Sequence, residues 1–526
     1  MERKMRILKK TSAAGIVVLI LSICCVCETV FAEGHWVGTW ACSQQSGNNQ
    51  TLVNNTLRQV VHASIGGSKV RVLFSNRYSD SPLTINSAHI AMQDGVWLGV
   101  RILRATDTAL LFGGSPSVIL NPGQEIYSDA ADFNAAPLSN LTVSIYSEQV
   151  SSTNITGHSL SLATSYMGYG NEVSVSGFSS RTVDCWYILS GIDVWQEDSC
   201  ASVVILGDSI TDGAGSTTNA NNRWPDDLAR RLHANQSTAK VGVLNQGISG
   251  NWVSGGGTGP TATARFNHDV LGQSGVRWLI ILEGVNDLGN SSDPATTANN
   301  LIAAYEQFIN KAHAQNIAVY GVTILPFKGS LYDKAGKVAA WQTVNNWIRT
   351  SGKFDAVIDM AAAVCDPTDP NKMLAVYDSG DHLHPGPAGY QKMADTVDVN
   401  LLQEKATDLN KDGIVNFIDF AVLSGQWQQT PGLPSADILP PAGDGIVDFA
   451  DLYLMAQEWA DVNLFQQQAA DLNNDGAVNF ADFAILAGQW QKPPGLVSAD
   501  IAPPVGDEIV DFTDFYSMAQ EWLMIW

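Results

Sequence analysis

Four short segments carry side chains that could together perform acyl transfer. Leu206-Gly207-Asp208-Ser209-Ile210-Thr211 places a serine directly after an apolar run at 203–206. A serine hydroxyl is a poor nucleophile until a base removes its proton, and Gly-Asp-Ser alone reads equally as a polar turn. The base candidate is His384, in Asp378-Ser379-Gly380-Asp381-His382-Leu383-His384-Pro385-Gly386. Asp381 precedes it by three residues. On one tight turn that spacing lets the carboxylate accept the Nδ1 proton and leaves Nε2 for the serine. His382 competes for the role, but it follows Asp381 immediately, where neighbouring side chains usually diverge. Donors for a developing oxyanion are also required. Asn245-Gln246-Gly247-Ile248-Ser249-Gly250-Asn251 can present a bare N–H at Gly250, and Glu283-Gly284-Val285-Asn286-Asp287 offers the Asn286 amide.

These residues need a scaffold that brings them to one place. Apolar runs at 203–206, 278–282 and 318–322 read as strands buried on both faces. They alternate with amphipathic stretches at 224–233, 298–314 and 337–350, and a helical run at 388–402 follows the histidine. Such alternation implies a parallel sheet with helices on both faces. Open sheets of this kind gather reactive groups at the carboxyl ends of their strands. Three of the four segments directly follow predicted strands, and the fourth supplies the base.

In this order, Gly207-Asp208-Ser209, Gly250, Gly284-x-Asn286-Asp287 and Asp381-x-x-His384 resemble the four blocks of the SGNH (GDSL) hydrolase family, over about residues 202–402. The resemblance implies a three-layer α/β hydrolase fold. It also implies an acyl-enzyme mechanism with Ser209 as nucleophile, His384 as general base and then acid, and Asp381 as its orienter. The Ser209 and Gly250 N–H groups and the Asn286 side chain would form the oxyanion hole, and catalysis would need no cofactor. Pro387 and Ala388 stand where relatives often carry Asn or Asp. Asn222-Arg223-Trp224-Pro225 and Asp378 look like those of a secreted subgroup with an N-terminal β-domain.

The flanking regions read differently. From 35 to 180, short period-two runs such as 58–65, 70–74 and 141–146 are broken by Gly, Pro, Asn and Ser, the pattern of an all-β sandwich. After residue 407 the sequence repeats. Asp408-Leu409-Asn410-Lys411-Asp412-Gly413 recurs as Asp471-Leu472-Asn473-Asn474-Asp475-Gly476, and the same offset relates Asp437 to Asp500 and Asp444 to Asp507. Asp408, Asn410, Asp412, Asn416 and Asp419 stand at loop positions 1, 3, 5, 9 and 12. Gly413 occupies the sharp turn, and Ile414 can give its carbonyl at position 7. That is an oxygen cage for Ca2+. Asp471, Asn473, Asp475, Ala477, Asn479 and Asp482 repeat it. Two intervening loops are longer and contain Pro440-Pro441 or Pro503-Pro504; Asp437, Asp444, Asp448 and Asp451, or Asp500, Asp507, Asp511 and Asp514, are weaker ligand sets. Glu508 replaces the turn glycine in the last. The arrangement resembles tandem dockerin domains, small α-helical calcium-loop modules whose family docks onto a cohesin of a scaffold or cell-surface protein. Trp427, Trp459, Trp490 and Trp522 read as small-domain core.

Composition constrains the rest. The 526 residues are 45% hydrophobic and carry 52 acidic against 29 basic side chains, a net charge of −23. That charge argues against nucleic acid or an anionic membrane surface as partner. Lys and Arg within residues 1–10, an apolar run at 13–27 and Val30-Phe31-Ala32 suggest a signal peptide cleaved after Ala32. The run is short for a membrane span, so none is expected after cleavage, and the protein is expected to be secreted or associated with the cell surface. Of seven cysteines, Cys42, Cys185, Cys200 and Cys365 remain in the mature chain. Cys185 and Cys200 are the expected pair if one forms, with free thiols as the alternative.

The expected domains are a signal peptide (1–32), a β-sandwich (33–198), an SGNH hydrolase (199–404) and two dockerin-like modules (405–462 and 463–526). The expected activity is serine ester hydrolysis, with an acetyl ester on a polysaccharide as the favoured substrate, because dockerins usually accompany glycan-degrading enzymes. A lipase or general short-chain esterase is the alternative within that class. A non-catalytic surface or adhesion protein with a vestigial hydrolase domain is the alternative outside it.

Overall fold

The computed structural model describes residues 34–47, 52–95, 100–148, 154–196, 200–403, 405–409, 415, 417–432, 434–439 and 443–458, with 472, 482 and 485–486. The expected signal peptide lies outside them.

A five-stranded parallel sheet occupies the centre. Its spatial order is Val241–Gly247, Ala201–Gly207, Val276–Leu282, Ala318–Val322, Ala356–Ile358. Val203, Val204, Ile205 and Leu206 are each 0% exposed, so the continuous apolar run is explained by cover on both faces. Helices Trp224–Ala234, Pro294–His313, Lys337–Thr350 and Pro387–Thr396 contribute Leu228, Phe308, Val344 and Tyr390 to the same core. Pro294 and Pro387 sit in first helical turns, where no N–H is missed. The expected 388–402 helix stops at Thr396 and is followed by a 3-10 turn, Val399–Leu402.

The N-terminal region is rich in antiparallel strands. One sheet contains His35–Ala41, Leu189–Gln196, Gly67–Ser75, Ala131–Ala135 and Glu125–Tyr127. A second runs Arg181–Val183, Ser165–Tyr169, Asn55–His62, Asn140–Ser147, Ser87–Met92, Thr108–Leu110. Side chains from both, including Val72, Phe74, Leu57 and Val143, meet in one core. A third, small sheet of Gln45–Ser46, Thr156–His158 and Trp186–Tyr187 faces the parallel sheet's end of the molecule.

In the C-terminal part, helices Phe417–Gly425 and Phe449–Glu458 pack around Leu409, Leu423, Val447, Leu452 and Met455. Trp427 lies against that core with its ring edge-on to Phe449 at 4.9 Å. None of the described helices is long and apolar enough to cross a membrane. The expected Cys185–Cys200 disulfide does not form. The Cys185 thiol faces the Ser159 carbonyl, whereas the Cys200 thiol faces the Gln196 side chain, so the two sulfurs are directed to different neighbours.

Candidate active site

The Ala201–Gly207 strand ends where only a glycine fits: a Cβ on Gly207 would lie 2.1 Å from Thr211 Oγ1. The chain then enters a one-turn helix, Ser209–Asp212. Asp208 caps it by accepting the Ile210 N–H at 2.9 Å. Ser209 is the first helical residue, and its Oγ lies 2.8 Å from His384 Nε2. On the far side of that ring, Nδ1 lies 2.6 Å from Asp381 Oδ2. Asp381 Oδ1 also accepts the His384 and Leu383 N–H groups at 2.8 and 2.9 Å. Burial works to raise the Asp381 carboxyl, but these hydrogen bonds outweigh it and hold the group at about 2. An ionised Asp381 keeps the proton on Nδ1, so Nε2 is free to accept from the serine. His382 points elsewhere. It adopts φ +62°, and its Nδ1 is bound to Asp378.

The donor candidates stand at the ends of neighbouring strands. Gly250 and Gly284 adopt φ +75° and +108°, the left-handed region that glycine enters without a Cβ clash. No partner among the described residues takes the Ser209 or Gly250 N–H. Asn286 Nδ2 donates to the Asn251 carbonyl at 3.0 Å, and Asn286 Oδ1 accepts the Tyr332 hydroxyl at 2.8 Å. Tyr332 therefore fixes the amide's orientation, with one N–H left uncommitted among the described residues.

A buried charge network lies behind these groups. Arg265 is 1% exposed and binds the Gln246 and Gly207 carbonyls at 2.6 and 3.0 Å, Asn251 Oδ1 at 3.0 Å, and Asp269 and Glu283 at 3.2 Å each. It thus joins the ends of three strands. Burial raises the Glu283 carboxyl, and the neighbouring Asp208 charge adds to this. Burial likewise pushes Asp287 up to about 6, although it accepts the Val253 and Ser254 N–H groups.

The N-terminal region reaches into this network. Asp212 Oδ2 accepts the Ser249 N–H at 2.8 Å and its hydroxyl at 2.6 Å, beside Gly250. Asp212 Oδ1 faces His158 Nε2 at 2.9 Å, and His158 Nδ1 faces the Ser43 carbonyl at 2.9 Å. Both ring nitrogens meet acceptors, which favours the doubly protonated imidazolium. Burial alone would lower the pKa of this ring, but the Asp212 charge overcomes it and the pKa rises.

The family model for the GDSL-like lipase/acylhydrolase family matches residues 205–392. That stretch is a GDSL-like lipase/acylhydrolase domain. The acylhydrolase domain is accordingly an ester hydrolase. A second family model, for the dockerin type I domain, matches residues 442–489. It spans the expected division at 462/463 between the two C-terminal modules. Among solved structures, the chain is similar to an acetylxylan esterase from Geobacillus stearothermophilus, with 21% identity and a TM-score of 0.29 over 38% of this chain and 92% of that one. It is also similar to a GDSL-like lipase from Bacteroides thetaiotaomicron VPI-5482, with 20% identity and a TM-score of 0.27 over 37% of this chain and 84% of that one. No curated protein matches.

The acylhydrolase domain contains supporting residues that sequence reasoning passed over. Tyr332, Arg265, Asp212 and His158 belong to no local motif, and each acts on a residue distant in sequence. Only Asp212 offered a signal, by following Ser209 within one helical turn. In the C-terminal loops, Asp408, Asp419, Asp437, Asp444, Asp448, Asp451 and Asp482 are described; Asn410, Asp412, Ile414, Asn416, Asp471, Asn473, Asp475, Ala477, Asn479, Asp500, Asp507, Asp511 and Asp514 lie outside the described residues. Asp419, Asp451 and Asp482 are each 0% exposed. In the longer loop, Asp437 accepts the Asp444 and Gly445 N–H groups, and Asp451 those of Ile438, Leu439 and Asp448. Among the described residues, no group of three or more His, Cys, Asp or Glu side chains is set to hold a metal ion.

Proposed function

We propose that the protein is a secreted serine carboxyl-ester hydrolase that deacetylates a polysaccharide through an acyl-enzyme. The Ser209–His384–Asp381 alignment carries the proposal, with 2.8 and 2.6 Å between successive partners. Ser209 Oγ attacks the ester carbonyl while His384 Nε2 takes its proton. Asp381 keeps the ring in the required tautomer and stabilises the imidazolium. The Ser209 and Gly250 N–H groups and the Asn286 amide receive the oxyanion. His384 then protonates the departing alcohol and, in a second cycle, activates the water that releases the acid. No step requires a cofactor.

The assigned units are the β-sandwich at 33–198, the hydrolase at 199–404 and dockerin-like modules at 405–462 and 463–526. Two antiparallel sheets sharing one core support the first assignment. In the regular loops, Asp408 to Asp419 and Asp471 to Asp482 would supply oxygen ligands to Ca2+. Asp419 and Asp482, which close these two loops, are each 0% exposed, so both carboxylates face the interior of their modules. The dockerin match supports extracellular tethering to a cohesin and, by association, a glycan substrate. The deciding experiment measures p-nitrophenyl acetate hydrolysis, then acetate release from acetylated glycans. Ser209→Ala should lower turnover by about 10^4-fold or more; equal rates in the variant and the wild type would remove the enzyme assignment.

A further inference from the structure

The small sheet of Gln45–Ser46, Thr156–His158 and Trp186–Tyr187 also forms one wall of a cleft. The opposite wall is the Thr258-Gly259 end of the loop that begins at Gly250. The space between them is about 220 Å³, lined by Gln45, Ser46, Ser159, Cys185, Tyr187 and Thr258, with His158 also in its wall. Two connections join it to the oxyanion loop. The Thr258 N–H donates to the Gly250 carbonyl at 2.9 Å, and Asp212 links His158 to Ser249.

The lining has a consistent chemistry. Gln45 is 5% exposed and donates from Nε2 to Ser159 Oγ at 2.7 Å. Its Oε1 accepts no hydrogen bond from the described residues, and neither does the Thr258 hydroxyl make one. An amide oxygen and a hydroxyl are therefore open to a ligand with several hydroxyl groups. Among the described residues, no Lys, Arg, Asp or Glu lines the space, and both ring nitrogens of His158 are already engaged. A carboxylate placed there would be poorly compensated, and an alkyl chain would strand the polar wall groups.

We propose that this cleft is a subsite for the alcohol side of the ester, holding a neutral sugar ring next to the acetylated unit. The proposal rests on the esterase reading above, and it makes the N-terminal region part of the substrate site.

The full-length wild-type protein carries its own reporter. Cys185 lines the cleft, whereas Cys365 is also half-buried but lies outside it. Maleimide labelling, read by peptide mass spectrometry, should slow at Cys185 and not at Cys365 in millimolar neutral xylo-, manno- or cello-oligosaccharides. Galacturonate oligomers should give no such protection. In parallel, Ser46→Trp at the exposed side of the cleft should lower kcat/KM on acetylated oligosaccharides about tenfold more than on p-nitrophenyl acetate, mainly through KM. Equal protection by galacturonate overturns the proposal. So does the absence of protection by any neutral sugar together with an unchanged ratio of the two rates in Ser46→Trp. Failure of the esterase reading is distinguishable, because Ser209→Ala would then match the wild type on p-nitrophenyl acetate.

Discussion

The acylhydrolase domain is flanked by two regions built on different terms. On the N-terminal side, charge is shared across the junction: His158 pairs with Asp212, the Ser43 hydroxyl donates to Asp269 at 2.7 Å, and His268 bridges Asp269 and Glu125. On the C-terminal side, the described helices gather their own apolar core around Leu423 and Met455. Breaking a buried ion pair by removing one partner costs about 3–5 kcal/mol, because the other charge is left stranded. The first arrangement therefore makes the fold of each region a condition of the other. A separate core imposes no such condition.

The largest test of this contrast removes the N-terminal region. A chain beginning at Cys200 strips Asp212 of His158, Asp269 of the Ser43 hydroxyl and His268 of Glu125, and is expected to lose cooperative unfolding by calorimetry and measurable ester turnover. For scale, Asn286→Ala removes a donor inside the acylhydrolase domain and should lower kcat about 100-fold with little change in KM. His158→Gln should do less to catalysis, because it acts on Gly250 only through Asp212 and Ser249. We expect kcat to fall about tenfold and unfolding free energy to fall by about 3 kcal/mol, read by turnover and urea denaturation.

The stability loss in His158→Gln should also depend on pH. Asp212 raises the His158 pKa, while the buried Arg223 opposes it; Asp269 and the Cys42 thiol lie in the same junction, and the Trp186 ring is 5.6 Å away. A raised pKa means that the ion pair's contribution is complete below the unfolded value of about 6.5 and is lost as pH climbs through the folded one. The melting temperatures of wild type and variant should therefore differ most in mild acid and converge in alkali. A constant difference would show that His158 acts by shape alone. The smallest effect is expected at the other end of the chain. EDTA should loosen the C-terminal modules, seen as faster proteolysis beyond residue 405, while p-nitrophenyl acetate turnover stays within about twofold. Collapse of turnover with chelation would break the contrast.

The pattern of legible and illegible residues follows from range. Ser209, Gly250 and Asn286 could be read because each follows a buried strand in a short motif, and His384 because Asp381 lies three residues before it. Between His382 and His384 the local sequence left a contest, and the structure separates them: Asp378 takes one ring while Asp381 and Ser209 take the other. Tyr332 and His158 escaped because their partners lie 46 and 54 residues away, with no periodicity connecting them. Cys185 and Cys200 were matched by their place along the chain, but spacing does not report which way a thiol points. Three of the five parallel strands, Ala201–Gly207, Val276–Leu282 and Ala318–Val322, were read to within two residues at each end, since their apolar runs are set by cover on both faces, whereas Val241–Gly247 and Ala356–Ile358 were given no range. The short strands of the N-terminal region were less complete, because several, such as Thr156–His158, contain too few residues to show an alternation.

His384 follows Ser209 by 175 residues, and the helix that seats its turn, Pro387–Thr396, comes later still. Synthesis proceeds from the amino end, so in the proposed mechanism the attacking oxygen leaves the ribosome long before the imidazole that would ionise it. On that mechanism, a chain halted or clipped ahead of residue 384 should be inert rather than weakly active. Under the proposed function, loss of the tail beyond residue 403 should, in contrast, leave the catalytic groups together and remove only the proposed tether.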